Sequence, residues 1–362
     1  MQKLVEYLRK VSTTVWVVII LLVVIRIFLP VGIKYGINWY MGNKLENYKG
    51  HIEDFDLALY RGAYQVQDMN IWMKTKSPKE PLVFIREIDL SLAWRALFKG
   101  KLLGDLHVDG MKLDLVDSED KAKKQTGAGE DWKTVMGKLV PIELEAFKLS
   151  NSEVHLLNRD FKVPVDVVLD RINVEAKNIK NTDNNKELLP STVAATARLQ
   201  KDAPLKGSAR INLLSKVPAF EAKMTLDKLN LTKLNNFFMA YGPFSFTKGS
   251  FSLYGEVSTK QNQIVGYVKP FFENLDVMSK EEEFVSPKHF FTEVGLAMGN
   301  LILRNHDTKT VATKIEFEGA SKGPDIDTWG AVWTSLSNGF IEALKKRLDN
   351  TISIKDVPTK KN

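Results

Sequence analysis

The sequence predicts a mainly β, largely antiparallel protein carried behind a single apolar helix, and three observations predict it. Every residue from Val15 to Ile25 is apolar. Beyond Lys44, apolar and polar residues alternate with period two in run after run. The runs are separated by short turn-like segments, which favours hairpins and a meander over βαβ units.

The low-charge stretch around the apolar run extends from Val11 to Ile33, with Arg26 as its only ionisable group. At ~1.5 Å per residue it reaches roughly 34 Å, enough for a hydrocarbon core of about 30 Å. We place a transmembrane helix at residues 13–33, after an N-terminal segment 1–12. A cleaved signal peptide would share the basic start at Lys3, Arg9 and Lys10, but FLPVGIKYGINWYMG has no convincing pair of small residues two apart, so an uncleaved anchor fits better. Three basic residues before the helix against Lys34 and Lys44 after it bias the N-terminus to the inside by a small margin. Arg26, near the C-terminal end of the span, is expected to pair with headgroups or a partner. Tyr35, Trp39 and Tyr40 suit either the membrane–water interface or the globular core.

Among the strands, PLVFIREIDLSLAW puts Leu82, Phe84, Ile88, Leu90, Leu92 and Trp94 on one face and Glu87, Asp89 and Ser91 on the other. The signature recurs in Phe55/Leu57/Leu59, Met69/Ile71/Met73, Met111/Leu113/Leu115, Ile142/Leu144/Ala146, Val163/Val165/Val167/Leu169 and Ile172/Val174/Ala176. It continues in Val193/Ala195/Ala197/Leu199, Ala209/Ile211/Leu213, Phe220/Ala222/Met224/Leu226, Phe251/Leu253 and Val311/Thr313/Ile315/Phe317. A weak repeat of strand, basic-Gly turn and strand runs through Leu59-Tyr60-Arg61-Gly62 and Leu97-Phe98-Lys99-Gly100.

Helical segments are few. Leu97–Lys101 and Asp131–Leu139 read as short turns, and Leu231–Tyr241 as a short helix closing on Gly242-Pro243. A long amphipathic helix spans 325–348, with Trp329, Trp333, Leu336 and Phe340 on its apolar face and Lys345, Lys346 and Arg347 in its last turns. The segments 118–130 and 178–187 read as mobile loops, and 356–362 as a disordered tail.

Composition excludes several functions. The chain carries 51 basic and 44 acidic residues, a net +7. Beyond residue 43 the balance is nearly even and no basic stripe stands out, so nucleic acid is not an expected partner. With no cysteine there is no disulfide framework, thiolate nucleophile or Cys-ligated metal. His51, His107, His155, His289 and His306 are dispersed without metal-pair spacing. No GxxxxGK[ST], GxGxxG or GxSxG string occurs. No enzyme and no cofactor are expected.

The N-terminal anchor, LALYRGAYQVQDMNIWM, IREIDLSLAWRALFKGKLLGDLHVDGMKLDLV and ELEAFKLSNSEVHLLNRD together resemble the bacterial AsmA-like superfamily of envelope proteins. The later segments KLNNFFMAYGPFSFTKGSFSLYGEV, IVGYVKPFFENLDV, VATKIEFEGA and WGAVWTSLSNGFIEALKKRLDNTI look like a smaller family within it that carries a domain-of-unknown-function label. The resemblance touches most of residues 15–352 and rests on hydrophobic patterns with glycine punctuation. It implies an inner-membrane anchor, a cytoplasmic 1–12 and a periplasmic domain over 34–355. It also implies an elongated, taco-like β-groove with an apolar interior, and a role in moving phospholipid or maintaining the outer envelope. No catalytic residues come with it. About 14 strands at ~4.8 Å would give a groove on the order of 65 Å long, short of a self-sufficient bridge across a wide periplasm.

A sheet with one apolar face must either pack that face shut or roll it into a trough. An acyl chain gains ~0.8 kcal/mol per buried CH₂, so a dry trough can hold lipid without specific polar contacts. The expected function is therefore membrane-anchored lipid binding or phospholipid transfer. The alternative is a non-enzymatic structural or assembly factor of the envelope, acting on protein partners through the face of 325–348. The candidate groove residues are Leu90, Leu92, Val165, Val167, Ile211, Leu253 and Ile315.

Overall fold

The computed structural model describes residues 13–58, 62–92, 103–120, 122–127, 143–179, 188–212, 219–241, 244–260, 263–279, 284–285, 310–312, 314–320 and 352–355. Trp94, the turns expected at Leu97–Lys101 and Asp131–Leu139, most of loop 178–187, the helix expected at 325–348 and the 356–362 tail lie outside them.

Helix α1 (Thr13–Asn43) continues past the expected end at residue 33 and is long and apolar enough to cross a membrane. Its first half presents exposed apolar surface at Val15–Leu21, Val23–Ile25 and Ile27–Leu29. Its second half turns Ile33, Ile37, Tyr40 and the buried Met41 onto the first strands, while Tyr35 and Trp39 stay outside. Asn38 fixes the dock by donating to the Ile52 carbonyl at 3.1 Å and accepting from the Ile52 N–H at 2.7 Å. Arg26 finds its partner in this chain, 3.6 Å from Asp56.

The strands are β1 (Tyr48–His51), β2 (Asp54–Ala58), β3 (Ala63–Met73), β4 (Val83–Leu92), β5 (Leu103–Val116), β6 (Glu143–Asn158), β7 (Val165–Lys177) and β8 (Ser191–Leu199). They continue as β9 (Ala203–Asn212), β10 (Ala219–Asn230), β11 (Phe244–Lys260), β12 (Gln263–Ser279), β13 (Phe284–Val285), β14 (Thr310–Ala312) and β15 (Ile315–Ala320). Among the described residues these 15 strands form one sheet in sequence order from β3 to β13. β1 and β2 together make the first edge beside β3, while β14 and β15 join β13 against β12.

The expected meander is interrupted once. Among the described pairs β5 and β6 alone run parallel, Leu103 facing Glu143 and Val116 facing Leu157. Parallel neighbours need a crossover of a dozen residues or more, and the chain between Val116 and Glu143 supplies it. Part of the expected loop 118–130 is tied down there: Gln125 bridges back to Val116, and Asp160 accepts from the Ser118 hydroxyl at 2.8 Å and the Glu119 N–H at 2.9 Å.

A crease crosses the first strands. Asp68, Gly110, Asn151 and Arg171 have positive φ of 48°, 67°, 51° and 50° in the middles of β3, β5, β6 and β7. The registers place Asp68 opposite Arg86, Arg86 opposite Gly110 and Gly110 beside Asn151. At each, side-chain parity resets. Tyr64 and Val66 face inward before Asp68 and Met69 and Ile71 after it; Leu106 and Val108 precede Gly110, with Met111 and Leu113 beyond. Irregularities of this kind bend strands and sharpen twist, so the sheet curls while one face stays apolar. The crease corrects the expected face of β4: Val83 and Ile85 share the core with Ile88, Leu90 and Leu92, and Phe84 takes the opposite side with Asn70. It also joins residues 165–169 and 172–176 into the one strand β7, while Val163, expected on the same apolar face, lies before the strand and is exposed.

A similar line recurs at Lys228, Gly249 and Asn274 in β10, β11 and β12. Strands β8 and β9 stop near this level, in the turn at Gln200 and Lys201. The notch above them is filled by a 3₁₀ turn (Leu231–Leu234) and helix α2 (Asn235–Tyr241), as expected for 231–241. Asn235 clamps Phe246 through two 2.8 Å hydrogen bonds, and across the notch Asn158 Nδ2 donates to the Tyr241 hydroxyl at 2.8 Å.

On the opposite face of β11 and β12, alternation does not mean solvent. Glu256, Ser258, Tyr267 and Lys269 are buried there. The C-terminal segment lies over this face, its Ile352 N–H donating to Glu256 Oε2 at 3.0 Å and its Ile354 N–H to Glu221 Oε1. The Lys269 and Lys314 ammonium groups stand 5.3 and 4.7 Å from the Tyr267 ring centre, a cation–π arrangement worth more when desolvated.

Candidate functional site: the inward apolar face

Cross-strand registers carry one apolar face without a break from β1 to β15, and its two halves differ. In β1–β6 its centre is sealed, while Val83, Ile85, Met111, Leu113 and Val154 around that centre are half-buried. Ile52, Phe55, Val66, Ile88, Leu90, Leu106, Val108 and Leu149 are buried in one cluster that the second half of α1 closes with Met41. Tyr64 lies in this cluster, and burial raises its phenol to about 12.

From β7 to β12 the same face is lined with small residues. Val174 faces Ala195, Ala195 faces Gly207, Gly207 faces Met224, Met224 faces Gly255 and Gly255 faces Val268. The next row runs Ala176, Val193, Ala209, Ala222, Val257 and Gly266. Met224 is 39% exposed, and Val193, Ala195, Gly207, Ala209 and Ala222 are half-buried. Side chains that end at Cβ leave depth above the sheet. A Cβ placed on Gly207 would meet only the Lys223 carbonyl at 3.7 Å and Ala195 Cβ at 3.9 Å, ordinary contacts. Larger groups flank this floor: Leu226, Leu229 and Ala203 with Phe251 and Leu253 at one end, and Ile315 with Val268 and Phe317 at the far edge.

The candidate groove residues divide accordingly. Leu90 is 0% exposed and Leu92 packs beside it, both inside the sealed half. Val165 and Val167 follow the parity of Leu169 beyond the crease, where Val165 is 1% exposed beside α2. Ile211 lies at the end of the floor opposite Phe220, Leu253 on its flank and Ile315, 3% exposed, at its far edge. Trp329, Trp333, Leu336 and Phe340 lie outside the described residues. The sequence reading placed Ala195, Ala209, Ala222 and Met224 on the apolar face but chose larger aliphatic residues as groove candidates, and it missed Gly207. The signal was the small-residue alternation in VAATARL and LKGSARI, where a packed core would carry Leu or Ile.

The polar groups read as fold supports. On the outer face of β5–β7, His155 Nδ1 lies 2.9 Å from Asp166 and its Nε2 3.5 Å from Glu153. Neighbouring Asp114 has its carboxyl raised above the usual range by burial, against the opposing pull of Lys112. Among the described residues no group of three or more His, Asp or Glu could hold a metal ion. No protein-family model matches the chain, and no curated protein matches it.

Proposed function

We propose that this protein is a membrane-anchored lipid-binding or phospholipid-transfer protein, held by α1 in a bacterial inner membrane with its sheet in the periplasm, where it contributes to outer-envelope maintenance as its resemblance to the AsmA-like superfamily implies. The observation that carries the reading is the half-open floor of Ala195, Gly207, Ala209, Ala222 and Met224, continuous with buried apolar side chains on both sides. Such a surface suits a flexible acyl chain, which needs width and dryness rather than directed hydrogen bonds. The small residues supply the width. The sealed β1–β6 half favours a second reading, a structural or assembly factor whose sheet is a scaffold filled by its own side chains.

The deciding experiment is native mass spectrometry of the full chain extracted from bacterial membranes in mild detergent. A phospholipid that remains bound after detergent exchange is the expected result. Folded protein that carries none, and takes none from vesicles, would transfer the assignment to the scaffold reading.

A further inference from the structure

We propose that Phe147 of β6 and Phe317 of β15 are the end walls of one lane across the floor, and that the lane between them admits a single acyl tail of the length that fills one leaflet of a bilayer. The proposal deepens the preceding one and rests on its reading of the floor as a lipid site.

The registers define the lane. Phe147 faces Ala176 in β7, and Phe317 faces Gly266 in β12. Between them one row of paired residues steps through Val193, Ala209, Ala222 and Val257, one from each of β8–β11. From Ala176 to Gly266 nothing in this row is larger than valine. The row beside it, through Gly207, is interrupted by Met224, and the row on its other side carries Ile211, Phe220 and Ile264. Among the described residues this row alone crosses the inward face from β7 to β12 without a large side chain. A tail laid along β9 instead would meet Leu205 on one side of Gly207 and Ala209, and Ile211 on the other. The open direction therefore runs across the strands.

The two ends close differently. Ala176 is 6% exposed, and Phe147 packs against the sealed cluster of the first strands. At the far end a Cβ placed on Gly266 would lie 2.6 Å from Phe317 Cζ and 2.9 Å from its Cε2. The Phe317 ring thus leans inward from β15, and its tip fills the place that a side chain at Gly266 would take. Gly266 is buried, whereas Val193, Ala209, Ala222 and Val257 are half-buried. The open stretch spans the three strand spacings from Val193 to Val257, ~14 Å. A hydrocarbon core of about 30 Å leaves about 15 Å for the tails of one leaflet. Lane and tail match in length.

An aromatic ring laid on a glycine of the next strand also steadies a sheet by itself, so stability alone does not identify a wall. Tail length does. Phe317→Ala uncovers Gly266 and lengthens the lane by one strand spacing, ~4.8 Å, whereas Val257→Phe closes it one spacing earlier. The full chain and both variants, purified in mild detergent, are incubated with an equimolar series of saturated phosphatidylethanolamines from dilauroyl to diarachidoyl. Native mass spectrometry reads the bound species, and circular dichroism checks the sheet. Relative to the parent, the bound ratio of diarachidoyl to dilauroyl lipid should rise severalfold in Phe317→Ala and fall severalfold in Val257→Phe. Variants that bind lipid in the parent's ratio, or that both shift it the same way, overturn the walls and leave the floor a lipid site. A parent that binds none of the series removes the lipid reading and the proposal with it. Where Phe317→Ala loses its sheet, Val257→Phe decides alone, since an unchanged ratio there shows that the lane does not measure the tail.

Discussion

Asn151 Nδ2 donates to Asp109 Oδ1 at 2.7 Å across the parallel junction of β6 and β5, beside Gly110. The bond stands where the crease crosses the sheet, and its neighbours belong to the same repair. Asn151 N–H donates to Asn173 Oδ1 at 3.3 Å, Met111 N–H to the Ser152 hydroxyl at 3.1 Å, and Asn173 Nδ2 to the Arg171 carbonyl at 2.9 Å. A left-handed residue inside a strand disrupts the ladder locally, and short polar side chains recover backbone groups that would otherwise lose their partners.

The crease should be sensitive to side-chain type rather than to polarity. At Gly110 a Cβ would lie 2.9 Å from Arg86 Nε and 3.0 Å from Arg86 Cβ, on a backbone already at φ 67°. Gly110→Ala is expected to lose about 1–3 kcal/mol of stability. Asn151→Gly keeps the left-handed backbone and forfeits an exposed bond, for about 1 kcal/mol or less, whereas Asn151→Val should approach the Gly110→Ala loss. Thermal melts of the three detergent-solubilised variants check the order. Equal loss in both Asn151 variants would show that the bond, and not the backbone, holds the crease.

Leu90 and Met224 lie on one continuous face yet should answer differently to a carboxylate. Leu90 is 0% exposed in the sealed cluster, so Leu90→Glu strands a charge without a partner and should cost on the order of 4 kcal/mol or more. Met224 is 39% exposed over the small-residue floor, so Met224→Glu can hydrate in the empty protein and should melt within a few degrees of the parent. Its bound phospholipid, measured by mass spectrometry, should fall severalfold, because the charge then meets acyl chains.

Asp114 gives a pH dependence with a definite sign. Burial raises its carboxyl in the folded state, so the folded protein binds the proton more tightly than the unfolded chain. In the window between the ordinary carboxylate value and the raised one, stability from this group increases as pH falls, and above that window the charged form is a net burden. Asp114→Asn should therefore melt higher than the parent at neutral pH and lose that advantage as pH approaches the ordinary carboxylate range. An advantage constant with pH would assign the effect to packing.

Much of this fold is legible in the sequence because a half-buried strand writes its period directly. The runs around Leu90, Val165, Ala195 and Leu253 all fall in strands. Hidden was the continuity of strands through Asp68, Gly110, Asn151 and Arg171, where a reset of parity imitates a turn. The runs at 163–169 and 172–176 therefore look like two strands, and Phe84 looks like a neighbour of Leu90. The signal was present in residue type, since Asp, Asn and Gly tolerate positive φ, but Arg171 and Lys228 gave no such notice. The parallel pairing of β5 with β6 was equally hidden, because strand patterns specify a face and not a neighbour. For the candidate site, alternation located the apolar face, and only the three-dimensional burial of its first half, which α1 joins at the β1–β2 edge, separates packed core from the small-residue floor.

That separation can be tested by filling the floor. Gly207 faces Met224 on one side and Ala195 on the other, and its added Cβ would find only contacts of 3.7 and 3.9 Å. A glycine weakens a strand interior, so Gly207→Leu should keep the melting temperature or raise it, since its Cβ meets only ordinary contacts among the described residues. The same side chain would obstruct an acyl chain lying along the floor, and bound phospholipid should fall severalfold although no charge has been introduced. The scaffold reading makes the opposite forecast. If the floor is closed by the protein's own side chains, the isobutyl group added by Gly207→Leu overpacks it and stability drops by about 1–3 kcal/mol. Melting temperature and bound lipid measured on the same preparation separate the two, since a trough loses lipid at constant stability and a filled core loses stability with no lipid to lose.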